Sequence, residues 1–148
     1  MVLEKKVKSN FFTKKVFYID ANNRFNPYKI NKLAASKKMT PGIILKNIFI
    51  SRAFTFEQII EVLENKIYEL ENVRVLIVSG ITNLWPNDEL STFEGLLQAI
   101  SGIKKTLLKN NPLIIITAPL NKHSNFKPQG GKYLAHFGSV LIMIKDND

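Results

Sequence analysis

Val73-Arg74-Val75-Leu76-Ile77-Val78, at the middle of the chain, is the stretch whose reading decides the fold. A near-continuous apolar run of this length is what a parallel strand covered on both faces requires. On its upstream side Ile59, Ile60, Leu63, Ile67 and Leu70 recur at helical spacing with charges between them, which predicts a helix over 55–71 with one buried face. Thr55 and Gln58 supply a capping-box pattern at its start. Before it, 47–52 reads as a strand, and Pro41-Gly42 as a break in the chain. Asn26 followed by Pro27 is an N-cap with proline at the first helical position, so a helix is expected from Pro27 to about Ser36, after a strand at 16–20. On the downstream side a helix is expected over 89–109, with Leu90, Phe93, Leu97, Ile100, Ile103 and Leu107 on one stripe. Strands at 113–117 and 139–145 complete the series. Strands alternating with helices give an α/β fold: a mainly parallel sheet with helices on both faces.

At 148 residues the chain is read as a single domain, 1–148, with enough apolar content for a core. Its apolar runs are far too short to span a bilayer, and residues 1–8 have no apolar centre for a signal peptide. The absence of cysteine excludes disulfides and thiolate metal sites and agrees with a cytoplasmic setting. With two histidines only, His123 and His136, a histidine-rich metal centre is also excluded. The net charge of +9 fits either a polyanion partner or simple solubility. Lys37 and Lys38 read as solvated surface before a turn, whereas Lys122, Lys127 and Lys132 fall in a polar loop between two apolar strands.

Four segments in chain order resemble the core of the RecA-type recombinases, in particular the archaeal RadA branch. They are Val16-Phe17-Tyr18-Ile19-Asp20 with the following Asn22 to Ile30, Asn47-Ile48-Phe49-Ile50-Ser51-Arg52-Ala53-Phe54, Val75 to Thr82, and Pro128-Gln129-Gly130-Gly131-Lys132-Tyr133-Leu134-Ala135-His136. The second is similar to that family's Ala-Arg-Ala-Phe strand, the third to its Walker B strand, and the fourth to the Gly-Gly, Ala-His segment closing its second DNA-binding loop. The resemblance implies a RecA-like core, and the departures from it imply one without its chemistry. A P-loop needs Gly-x-x-x-x-Gly-Lys-Ser/Thr, so that backbone N–H groups wrap the phosphates while Lys and a hydroxyl handle charge and Mg²⁺. No such string occurs, and the fifteen residues before Val16 hold no glycine. Ser79 stands at the position of the Walker B acid, Asn22 at that of the catalytic glutamate, and Thr117-Ala118-Pro119 at the nucleotide-sensing Thr-Asn-Gln. The expectation is therefore a truncated RecA-like core lacking the P-loop strand and helix, with no catalytic residue, no nucleotide cofactor and no metal.

By the same resemblance, two loops approach nucleic acid, at 82–88 and 120–132. The candidate contacts are Trp85 in the first, and Lys122, His123, Asn125, Phe126, Lys127 and Lys132 in the second. Cations and aromatics without intervening acids suit a sequence-tolerant grip on single-stranded DNA. Trp85 has a plain alternative, packing down over the core. A second candidate surface, Ile50, Ser51, Ala53, Phe54, Ile60 and Leu63, resembles the wall that accepts a Phe-x-x-Ala motif from a neighbouring recombinase subunit, though these residues also read as ordinary core. The expected function is that of a non-catalytic RadA paralogue binding DNA in recombination and repair. The alternative is a protein-interaction module that caps or regulates recombinase filaments. The missing front end should uncover a sheet edge, so pairing with a RadA-type recombinase, another paralogue or a second copy is expected.

Overall fold

A computed structural model of the protein describes residues 14–85, 89–121 and 123–144. Four strands form one parallel sheet: β1 (Lys15–Asp20), β2 (Ile48–Arg52), β3 (Val73–Ser79) and β4 (Leu113–Ile116), in the order β2-β1-β3-β4. The register pairs Phe17 with Leu76 and Ile19 with Val78, and then Leu76 with Ile114 and Val78 with Ile116. Strand alternation puts these six residues on one face. That face carries the core, in which Ile19, Ile59, Leu63, Leu76, Val78 and Ile103 are fully buried.

Two helical segments cover it. The first, α3 (Phe56–Glu61), begins at Thr55, whose hydroxyl accepts from the Gln58 N–H at 3.3 Å while the Gln58 side chain accepts from the Phe54 N–H at 2.8 Å. The expected single helix over 55–71 does not stay α: Val62–Lys66 is a π-turn, closed by Ile67 N–H to the Val62 carbonyl at 2.9 Å. The cause lies opposite, on α4 (Glu89–Asn110), where a Cβ on Gly102 would sit 2.2 Å from the Leu63 carbonyl oxygen. Backbone meets backbone there, and one extra residue in the turn accommodates the approach. For the same reason α4 buries only part of the expected stripe, Ile100 and Ile103. Leu96, Ala99, Ile100 and Ile103 point inward with Gly95 and Gly102, leaving Phe93, Leu97 and Leu107 partly exposed.

The other face is thinly covered. The connection from β1 to β2 contains α1 (Pro27–Ser36) and α2 (Pro41–Lys46), so Pro41-Gly42 opens a helix rather than interrupting the chain. Thr40 precedes it in extended conformation, and a proline at the first helical position is pre-set for that start. β1 to β2 steps in the opposite direction along the sheet from β2 to β3 and β3 to β4. Right-handed crossovers then place α1 and α2 opposite α3 and α4, consistent with Phe25 meeting Tyr18 edge-on at 5.1 Å.

After β4 the chain forms a small hairpin, β5 (Leu120–Asn121) and β6 (Ser124–Pro128), then α5 (Gly131–Phe137). Gly130 and Gly131 take φ of +107° and +60°, a region glycine enters without steric cost. The expected strand at 139–145 is not present over 139–144, and Lys145 lies outside the described residues. Val140, Leu141, Ile142 and Ile144 are exposed instead. An apolar run says that a segment can be buried; a strand also needs a neighbour to ladder with, and β4, the last strand of the described sheet, does not take this one.

Candidate nucleic-acid interface

The strand order reverses direction between β1 and β3, and in open α/β sheets the crevice outside the carboxyl ends of such a strand pair is where ligands bind. Asp20 and Ser79 end the strands side by side in register. Asp20 is 2% exposed, and its two carboxylate oxygens accept from the N–H groups of Arg24 and Phe25 at 2.9 and 3.0 Å. It therefore holds the loop that leads into α1. The Ser79 hydroxyl donates to Asn22 Oδ1 at 3.0 Å, so the two residues standing where an acid and a general base would be expected satisfy one another. Next to them Gly80 takes φ +76° and its N–H donates to both the carbonyl and the hydroxyl oxygen of Thr117, at 3.1 and 2.9 Å. A Cβ on Gly80 would stand 2.9 Å from the Asn83 side chain. The ends of β1 and β3 are thus knit to their loops by hydrogen bonds, two of them to the Asp20 carboxylate. Among the described residues no three His, Cys, Asp or Glu side chains gather to hold a metal.

The two loops leave the crevice side by side. Thr82 of the first donates through its hydroxyl to the Gln129 side-chain oxygen of the second at 3.3 Å, and the Gln129 N–H reaches the Pro119 carbonyl at 2.8 Å. Trp85 is half-buried and meets Phe56 edge-on at 6.3 Å, with its indole nitrogen turned inward, so it follows the packing alternative. Residues 86–88 lie outside the described residues, as does Lys122. The second loop is not a loose segment, because 120–128 pairs as a hairpin and α5 follows. His123, Phe126, Lys127 and Lys132 are exposed on it, and Asn125 sits on β6. Tyr133, beside Lys132, is also exposed and contacts Phe93 edge-on at 4.8 Å; the sequence reading did not single it out. His136 is exposed on α5.

The second candidate surface divides. Ala53 and Leu63 are buried and Ile60 packs at the rim of the core, while Phe54 is 73% exposed. Ile50 and Ser51 border a small apolar cleft whose other walls include Phe17, Phe49, Val62 and Leu70. Phe49 stacks on Phe17 with ring centroids 5.0 Å apart, and Lys15 lies over the Phe49 ring. Strand alternation could have pointed to Phe49 from the sequence, since it shares a face with Ser51.

Comparison with known proteins converges with this geometry. The Rad51 family profile matches residues 6–113. The chain is 31% identical over 142 residues to the DNA repair and recombination protein RadB of Methanococcus maripaludis strain C7, covering 89% of this chain and 63% of that protein. It is 30% identical over 147 residues to the meiotic recombination protein DMC1 homolog of Glycine max, covering 88% of this chain and 43% of the other. RadB of Methanocaldococcus jannaschii is 26% identical over 140 residues, with 88% and 65% covered. The chain spans just under two thirds of the length of the RadB relatives it matches.

Proposed function

This chain belongs to the Rad51 family, and from that premise we propose that it works in DNA recombination and repair as a non-catalytic, cytoplasmic DNA-binding subunit. The observation that carries this reading is the pairing of opposites at one end of the sheet. At the carboxyl ends of β1 and β3, Ser79 and Asn22 are engaged with each other in a neutral hydrogen bond, while the adjoining hairpin and α5 present Lys127, Lys132 and Phe126 to solvent. Phosphoryl transfer is mainly positioning and electrostatics, and a serine and an asparagine bonded to each other neither hold Mg²⁺ nor accept a proton from water. Exposed cations beside an aromatic are instead suited to a phosphate backbone and an unstacked base.

Fluorescence anisotropy with a labelled single-stranded oligonucleotide tests it. Affinity should fall as salt rises, and Lys127→Glu with Lys132→Glu should weaken binding at every salt concentration. Binding that ignores both changes would remove the hairpin and α5 from the interface. A phosphate-release assay with Mg²⁺ and DNA should give no turnover, and turnover that copurifies with the protein would overturn the non-catalytic part.

A second reading, a module that engages a RadA-type recombinase without touching DNA, is favoured by the cleft beside Ser51. Ser51→Glu should abolish capture of such a recombinase in a pull-down if that reading holds. Ala53→Glu would not discriminate, because Ala53 is buried and its change would unfold the strand.

A further inference from the structure

Two long stretches of this chain are basic and free of acids. Residues 21–47, from the end of β1 through α1 and α2, contain six cations and no carboxylate, and residues 95–145, which include the hairpin and α5, contain seven cations and none. Arg24, Lys29, Lys32, Lys37, Lys38 and Lys46 are all exposed, and Asp20, the carboxylate that precedes them, is buried and already committed to two backbone N–H groups. A region with one sign of charge and no internal counter-charge attracts a polyanion more strongly than the same lysines interleaved with acids.

The helix bearing these charges is held by its ends more than by its packing. Ala34 alone among its residues is buried. Asn26 caps it, accepting from the N–H groups of Tyr28 and Lys29 at 2.9 and 3.3 Å, and Lys38 stops it in the left-handed region with φ +54°. Most helices in proteins owe their stability to an apolar face laid on a core. Here the outward face is aromatic and cationic: Tyr28 is 75% exposed, Lys29 adjoins it, and Lys32 follows one turn later. Lys37 and Lys38 have an ordinary role besides, complementing the helix dipole at its carboxyl end. Lys29 and Lys32, toward the opposite end, have no such explanation.

We propose that α1 and the turn before it form a second contact surface for single-stranded nucleic acid, separate from the β5–β6 hairpin and α5. Lys29 and Lys32 neutralise two phosphates and Tyr28 stacks on a base. The assignment rests on the DNA-binding reading above and extends it to a different face of the sheet.

The test uses the full chain and a fluorescent oligothymidylate, with anisotropy recorded over a range of KCl. Each phosphate contact to a single strand contributes about 0.7 to the slope of log affinity against log salt, so Lys29→Ala with Lys32→Ala should lower that slope by about 1.4. Tyr28→Ala should weaken binding about tenfold with the slope unchanged, as loss of base stacking does. Lys29→Glu with Lys32→Glu should weaken it further; acids near the start of a helix suit its dipole, and circular dichroism checks that α1 survives. If the wild-type chain binds and these variants match it in affinity and slope, the second surface is refuted while the DNA-binding function stands. If the wild-type chain does not bind the oligonucleotide, the function itself fails and the surface with it. If poly-glutamate displaces the oligonucleotide as effectively, charge for charge, the face is built for an acidic protein and the nucleic-acid assignment is wrong.

Discussion

Ser79 and Asn22 are 57 positions apart in sequence and joined by one hydrogen bond, and their energetics should show that bond directly. Ser79→Ala and Asn22→Ala should each cost about 1 kcal/mol in urea unfolding, and the double variant about as much as one alone, because both remove the same partially buried bond. Full additivity in that double-mutant cycle would mean that the two side chains are not coupled. Restoring an acid should not restore chemistry. Ser79→Asp would place a second carboxyl across from the buried Asp20, where like charge pushes the pKa of the new group up. A group whose folded pKa is raised contributes stability at low pH and loses it as pH rises. The variant should therefore approach wild-type stability in acid and fall below it at neutral pH, as thermal melts across pH will show. Glu57 has the opposite sign: hydrogen bonds from its own backbone N–H and from Thr55 at the start of α3 hold its carboxyl below the usual value of 4.5. Its small contribution is present above that value and fades as pH falls through the lowered one. Residues like Thr55, Asn26 and Gly130 were legible in the sequence because caps and positive-φ turns are local. The Ser79–Asn22 bond was not, because the sequence places a serine and an asparagine 57 positions apart without showing that they meet.

At the scale of elements, glycine explains what hydropathy misread. The stripe of large side chains on α4 seemed the natural buried face, yet Gly95 and Gly102 turn inward so that the helix can touch α3 and its π-turn. Gly102→Ala should destabilise the protein by about 3 kcal/mol, at the upper end of overpacking costs, since the atom in the way is backbone and has no rotamer to adopt. A shift of less than about 1 kcal/mol in the urea midpoint would mean that the turn can relax back to α geometry. Gly95→Ala should cost less, because the Phe56 ring and the Ile60 methyl that it would meet can both move. For α1 the signals were local and were read in full: Asn26→Ala should cost about 1 kcal/mol, the usual worth of an N-cap, and loosen α1 before the sheet in hydrogen exchange. At α2 the signal was local, since Thr40-Pro41 matches the cap-and-proline pattern of Asn26-Pro27, but Gly42 beside it also reads as a turn. At 139–144 it was not, because the partner strand that an apolar run requires is a property of the whole sheet.

Over the molecule as a whole, the sequence pattern placed the parallel sheet, its central strand and the loops at the carboxyl ends of the strands. It did not place the charge. Individual lysines look scattered along the chain, and the absence of any acid between Asp20 and α3 leaves the exposed cations there without a local counter-charge.

The sheet also stops abruptly. β4 is four residues long, is paired on one side only among the described residues, and leaves Leu113 and Ile115 exposed, as are Val140, Leu141, Ile142 and Ile144. Such a rim is adhesive, and crowding decides what sticks to it. Light scattering should climb more steeply than protein concentration in a dilution series, and a lysine in place of Ile115 should flatten the curve. Co-expression with a chain that covered this rim should then lower the scattering, by removing the apolar surface from water.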